Sequence, residues 1–188
     1  LIIDVRSPGE YLHAHMPNAF SLPLFNDEER AAIGTTYKQE SREAAIKLGL
    51  PFFGTKLLGM IETVEQWVAQ YEKSNGKKPT ILVHCWRGGM RSAAVAWLLD
   101  LYGYKTEQLT GGYKAYRNWV LAQFEKTYNM KVLGGYTGSG KTEILHQLQK
   151  SKIPVIDLEG LANHKGSAFG ALGQNEQNSQ EQFENNLA

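Results

Sequence analysis

The run Thr80-Ile81-Leu82-Val83-His84, followed at once by a glycine-containing loop and a helical segment, constrains this chain more than any other feature. A short β-branched run of this kind suits a strand covered on both faces, and such strands belong to parallel sheets. The pattern recurs. The chain opens on Leu1-Ile2-Ile3-Asp4-Val5, a strand already in progress, and Ser7-Pro8-Gly9-Glu10 reads as a turn feeding a short helix. Ala19 to Leu24 reads as a short strand, and Glu107 to Thr110 as another, before Gly111-Gly112 and a helix from Tyr113 to about Glu125. Alternation of this sort predicts an α/β fold with a mainly parallel sheet.

Between these strands the spacing predicts helices. Asn26 or Asp27 can cap one, and Ser41 can start a second that stops at Gly49, just before Pro51. Leu57, Met60, Ile61, Val64, Trp67, Val68 and Tyr71 recur at helical intervals, giving an amphipathic helix that ends near Gly76 and packs in the core. After the Val83 strand comes a helix over Ser92 to Tyr102. A boundary near Thr127 to Asn129 divides a first domain, residues 1–126, from a second, residues 130–188. In the second, Met130 to Gly134 reads as a strand, Lys141 to Lys150 as a helix and Ile153 to Leu158 as a strand. Two strands and a helix are thin for an independent sheet covered on both faces, so the second domain is expected to be incomplete. The first is expected to lack its natural N-terminus. Gly173 to Ala188, rich in Gln, Asn and Glu, reads as a mobile or truncated segment.

Composition excludes more than it selects. With 42% hydrophobic and 21% charged residues among 188, disordered, collagen-like and coiled-coil classes fit poorly. A net charge of +1 gives no strongly basic footprint of the kind nucleic-acid binders often carry. Cys85 is the one cysteine, so no disulfide forms within the chain, and a reducing, cytoplasmic setting is expected. The longest strictly apolar run, Ala93 to Leu99, is far short of the roughly 20 residues that span a bilayer, so no membrane partner is expected. One cysteine and scattered histidines provide no plausible zinc set.

The sharpest chemical signal is His84-Cys85-Trp86-Arg87-Gly88-Gly89-Met90-Arg91-Ser92, between a buried strand and a helix. There, loop N–H groups and the helix N-terminus converge on one point, which suits both an anion and a thiolate. Arg87 and Arg91 add positive charge, so Cys85 is expected to have a depressed pKa and to act as a nucleophile, with Arg87, Gly88, Gly89, Met90, Arg91 and Ser92 around the anion. The string matches the phosphatase pattern H-C-x-x-G-x-x-R-S, and it also resembles the active loop of rhodanese-type sulfurtransferases, usually one residue shorter between Cys and Arg.

A second motif, Gly135-Tyr136-Thr137-Gly138-Ser139-Gly140-Lys141-Thr142, satisfies G-x-x-x-x-G-K-[ST] between a predicted strand and helix. Its glycines let backbone N–H groups cradle phosphate oxygens, Lys141 reaches the outer phosphates, and Thr142 can ligate Mg²⁺. The motif does not distinguish a nucleotide from another diphosphate ester. Asp157, closing the following strand, can act on metal or leaving group, or simply close a turn.

The surroundings of Cys85 carry a resemblance. Asp4 to Tyr11, then His15 to Ala19, resemble the opening of a rhodanese domain, and Leu109 to Tyr113 resembles its closing strand and turn. With a phosphate loop directly after it, the chain resembles the tRNA 2-selenouridine synthase family along essentially its whole length. Glu29-Arg30, Gly34, Tyr37-Lys38, Ala45, Leu48-Gly49 and the stretch Asp157 to Gly170 carry that likeness further. The resemblance implies replacement of sulfur by selenium at a wobble 2-thiouridine of tRNA, with geranyl diphosphate and selenophosphate as co-substrates and no flavin. It also implies a selenophosphate-supplying enzyme as a partner. The phosphate loop would hold diphosphate, the cysteine loop selenophosphate, and Asp157, His164, Lys165 and Ser167 would contact substrate. Asp4 and Arg6 read as a structural ion pair under the cysteine loop, and Trp86 as a surface for a base or a prenyl chain. Two alternatives stay open: a cysteine-dependent phosphatase fused to a nucleotide-binding unit, and a non-catalytic rhodanese module that binds an anion or a partner.

Overall fold

The computed structural model describes residues 1–136, 138–164 and 177–188. They form two compact units, Leu1–Trp119 and Val120–Ala188.

In the first unit four parallel strands, β1 (Ile2–Asp4), β2 (Ala19–Ser21), β3 (Ile81–His84) and β4 (Thr106–Gln108), lie in the order β2-β1-β3-β4. Registers Ile3↔Phe20, Ile3↔Val83 and Val83↔Gln108 align them. Because side chains alternate across a strand, neighbouring residues of β1 feed different cores. Ile3 and Val5, with Ile81, Val83 and Cys85, pack on Met60, Val64 and Val68 of α3 (Arg42–Asn75) and Val95, Leu98 and Leu99 of α4 (Met90–Leu101). Ile2 joins a second cluster with Ala14, Met16, Ala19, and Tyr113 of α5 (Gly112–Phe124). The sheet is therefore covered on both faces. The apolar runs along β1 and β3 anticipate that cover.

The short helix α1 (Pro8–His13) has proline at its start, and α2 (Asp27–Gln39) is capped by Asn26, whose side chain accepts the Glu29 N–H at 2.7 Å. One expectation for the first unit fails. The helix starting at Ser41 does not stop at Gly49; it runs unbroken through Pro51 to Asn75 as α3, and only Gly76, in the left-handed conformation, ends it. Gly49 lies close against α2 and the segment before it. A Cβ there would come within 3.2 Å of the Phe25 ring and 3.4 Å of Ile33, and Phe52 and Phe53 pack on the main core just beyond. Packing on both sides of Pro51 outweighs the proline's penalty. Among the described residues α3 is the one helix long and apolar enough to cross a bilayer. Met60, Val64 and Val68 instead pack it on the sheet, which accounts for its apolar stripe.

The second unit contains α6 (Lys141–Lys150), as its spacing predicts, then α7 (Leu158–Ala162) and α8 (Gln180–Leu187). Met130 to Gly134 and Ile153 to Leu158 are not strands: the first is irregular, and in the second Leu158 already begins α7. A strand exists only within a hydrogen-bonded ladder. No such partner is found among the described residues, and Val132 is 94% exposed. Within the stretch read as mobile or truncated, residues 180–187 form α8. Ser179 caps α8 by accepting the Gln182 N–H, and the pairs Gln180–Glu184 and Gln182–Asn186 bond one turn apart. A polar composition hides this helix from a reading by apolar periodicity. Lys165, Ser167 and part of that stretch lie outside the described residues, as does Thr137.

Candidate functional sites: a cysteine loop and a phosphate loop

Cys85 is the first residue after β3, where the chain leaves the sheet at its carboxyl edge. The α5 helix start fixes the loop. Tyr113 N–H donates to the Cys85 carbonyl and Lys114 N–H to the Trp86 carbonyl, both at 2.9 Å. In a trans peptide the C=O and the following N–H point opposite ways, so the N–H groups of Trp86 and Arg87 face away from α5. This is how a concave set of donors is made. Contact is close enough to dictate glycine. Gly88 has φ +65°, and a Cβ on it would lie 2.5 Å from the Leu109 carbonyl; a Cβ on Gly112, at φ +60°, would collide with the Cys85 carbonyl and the Gly88 nitrogen.

Beneath the loop lies a buried charged layer. Arg6, wholly buried, donates to Asp4 from Nε at 3.0 Å and Nη2 at 2.6 Å, and from Nη2 to the Ala14 carbonyl at 2.7 Å. Its guanidinium lies 3.7 Å from the centre of the Tyr113 ring. Asp4 and Arg6 are thus the structural pair that the sequence suggests. Breaking one partner of such a pair costs about 3–5 kcal/mol, because a buried charge is left uncompensated. His84 lies over the same layer, 3.8 Å from Asp4, and neither ring nitrogen has a hydrogen-bond partner among the described residues. Burial holds its pKa below the usual histidine range, with Arg6 adding to that and Asp4 opposing it, so the ring is neutral.

The cysteine itself is buried. Burial alone raises a thiol's pKa, and here that effect is overcome. Hydrogen bonds from Ser92, by hydroxyl and by backbone N–H, and from the Gly89 N–H, together with the Arg91 charge, bring the Cys85 pKa below its ordinary value. The Ser92 hydroxyl and the Gly89 nitrogen each lie 3.3 Å from Sγ. Gly89 and Ser92 belong to the cap and first turn of α4, so the helix dipole acts in the same sense. The arrangement suits a thiolate nucleophile.

The two loop arginines are not equivalent. Arg87 is exposed at the rim, with no ion-pair or hydrogen-bond partner for its side chain among the described residues. Arg91 donates from Nη1 to Glu10 at 2.8 Å and is thereby committed to a carboxylate. Trp86 and Met90 are partly exposed beside the loop, with the Trp86 ring 5.8 Å from Tyr113 and Met90 Sδ accepting from Arg42 at 3.5 Å. Glu10 and Arg42 were not among the residues singled out from sequence. The spacing Ser7-x-x-Glu10, a helix-start signature, was the signal for the first.

The phosphate loop forms as a loop closing on itself. Lys141 Nζ donates to the carbonyls of Gly135 at 3.0 Å and Tyr136 at 2.9 Å, so the lysine lies across the turn it follows. Gly138 and Gly140 have φ +78° and +79°, and Gly140 caps α6, which places Lys141 and Thr142 in the first turn. Ser139 N–H donates to the Tyr136 carbonyl at 3.2 Å. Left-handed glycines before a helix N-terminus turn backbone donors toward one concavity. Asp157 serves as the cap of α7, accepting the Gly160 N–H at 3.1 Å, and His164 follows the end of that helix.

Comparison with known proteins gives both units relatives. A rhodanese-like domain family matches residues 1–118, and the family described as tRNA 2-selenouridine synthase AAA domain matches residues 128–188. A curated tRNA 2-selenouridine synthase of Nitrosomonas europaea is 41% identical over all of this chain and 47% of its own length. One from a Sulfurovum species is 43% identical over 90% of this chain and 44% of its own. The chain therefore spans about half the length of the curated relatives it matches. Among solved structures, the N-terminal domain of a candidate ATP/GTP-binding protein of Clostridium difficile 630 aligns at TM-score 0.55 and 38% identity, covering 64% of this chain and 88% of that one.

Proposed function

From the premise that this chain belongs to the tRNA 2-selenouridine synthase family, through its matches to a rhodanese-like domain and to that family's AAA domain, we propose that it is part of a cytoplasmic enzyme that forms selenouridine in tRNA. The observation that carries the reading is the pairing of two anion-handling loops in one chain, one built around an acidified cysteine and one around a lysine.

In this proposal the phosphate loop holds geranyl diphosphate. The 2-thiouridine sulfur attacks the geranyl carbon and diphosphate leaves, its developing charge met by Lys141 and by backbone N–H groups of Gly138 and Gly140. Thr142, in the first turn of α6 beside Lys141, would hold a Mg²⁺ that adds to that charge stabilisation. Alkylation turns a poor leaving sulfur into a good one, so selenium can displace it at C2. Selenophosphate is the selenium donor, delivered by a partner enzyme and bound by Arg87 and the loop N–H groups. Selenium of selenophosphate attacks C2, the geranylthiolate leaves, and water then takes the phosphoryl group away as phosphate so that selenium stays on C2; Cys85 assists this transfer. Asp157, His164, Lys165 and Ser167 are the proposed contacts to the diphosphate or the nucleoside.

The test uses the full-length protein with tRNA carrying 2-thiouridine, geranyl diphosphate and selenophosphate, followed by mass analysis of digested nucleosides. The wild type is expected to yield 2-selenouridine, Cys85→Ser to stop before selenium, and Lys141→Ala to lose the geranylated intermediate. A wild-type profile with no modified nucleoside overturns the proposal. Phosphate release from an aryl phosphate by the same protein would favour the phosphatase alternative.

A further inference from the structure

Arg91 points its charge at a residue 81 positions earlier in the chain. Its Nη1 donates to Oε2 of Glu10, and that same oxygen accepts the Ser7 N–H and hydroxyl at 3.2 Å each and lies 3.6 Å from Arg30 Nε. Glu10 is mostly buried, and the start of α1 and Ser7 fix its carboxylate. The same carboxylate oxygen grips a guanidinium borne on the first turn of α4, immediately before Ser92, whose hydroxyl contacts the Cys85 sulfur. Arginine loses much rotamer freedom when held in one place, and a free one at this position would spend its time in solvent. A charge-assisted bond to a partly buried carboxylate overcomes that cost.

We propose that Glu10 is the positioning residue of the cysteine loop: by anchoring Arg91 to α1 it keeps a cation fixed beside the sulfur while leaving Arg87 as the arginine that meets an incoming anion. The assignment departs from the expectation that both loop arginines clamp the anion alike. It divides the two roles by geometry, one guanidinium held and one exposed. It rests on Cys85 being a reactive thiol, which the proposed function also requires.

Cys85 is the sole thiol, so its alkylation by iodoacetamide reports one site. The experiment measures alkylation rate and thiolate absorbance against pH for the full chain and for Glu10→Ala, Glu10→Gln and Ser7→Ala, each with its folded state checked by circular dichroism. Glu10→Ala is expected to move the midpoint upward by half a pH unit or more, so that alkylation below the midpoint slows about threefold. Glu10→Gln keeps an oxygen acceptor for Arg91 and is expected to restore most of the wild-type profile. Ser7→Ala removes one of the bonds that fix the Glu10 carboxylate but leaves the bond to Arg91 in place, and is expected to move the midpoint clearly less than Glu10→Ala does. Superimposable profiles for wild type and Glu10→Ala overturn the assignment, as does an equal shift in Ser7→Ala, which would reveal a merely structural role. If Glu10→Ala is unfolded, Glu10→Gln decides: a profile displaced upward by as much as half a unit in that folded variant shows that an acceptor oxygen alone does not hold Arg91 and overturns the proposal as stated, whereas a wild-type profile supports it. A wild-type midpoint at that of a free thiol instead removes the reactive-cysteine reading itself, so the two failures are distinguishable.

Discussion

At Gly112 the space beyond Cα is occupied by the backbone of another loop, the Cys85 carbonyl and the Gly88 nitrogen, and φ is +60°. Both conditions forbid a side chain. Gly112→Ala is expected to lower stability by about 2 kcal/mol or more, since left-handed strain alone costs an L-residue roughly 1–2 kcal/mol and the collision adds to it. Chemical denaturation checks the loss, and slower Cys85 alkylation in whatever remains folded would show that the cradle has moved. An unchanged midpoint would mean that the α5 turn is not what holds the loop. At this scale the sequence was highly legible. Cys85, its two glycines and Ser92 were recognisable because a strand, a glycine loop and a helix cap are local features. The partner of Arg91 was not, because nothing in the nine residues from His84 to Ser92 indicates a carboxylate on α1.

Elements divide in the same way. The bounds of α6 match their expectation to the residue, since Gly140 and Ser151 delimit it locally. Helix α3 does not, because Gly49-Leu50-Pro51 is a strong stop signal that packing overrides. Pro51 is exposed and can neither donate to the Lys47 carbonyl nor avoid crowding it. Pro51→Ala is therefore expected to stabilise the protein by about 1 kcal/mol or more, raising the denaturation midpoint. Destabilisation would show that the proline shapes the helix to its neighbours and is not merely tolerated. Strand propensity at Met130 to Gly134 and Ile153 to Leu158 misled for a related reason. A segment can favour an extended backbone, but only another strand supplies the ladder.

Across the whole molecule, the buried layer under the cysteine loop makes stability depend on pH. His84 has a folded pKa below its ordinary 6.5, so the unfolded chain takes up a proton that the folded one refuses. Its contribution is complete above about pH 6.5 and is lost as pH falls toward the folded pKa. Glu10 adds a second loss at lower pH. Burial raises its pKa, but Arg91, Ser7 and Arg30 bring it below the ordinary 4.5, so its stabilisation is present above that value and disappears on acidification through the folded pKa. Denaturation midpoints measured between pH 7.5 and 5.5 are expected to fall, and His84→Phe to flatten that fall. Equal slopes in both proteins would assign the acid sensitivity elsewhere. By itself the sequence determined the class of fold, the order of parallel strands and helices in the first unit, and the two loops proposed to handle anions. Each of these follows from periodicity, glycine spacing and caps within a few residues. Only tertiary structure decided which arginine is held and which is exposed, that α3 passes through its proline, and which apolar runs become strands. Those outcomes depend on carboxylates, rings and ladder partners that lie far away in the chain and come close only when it folds.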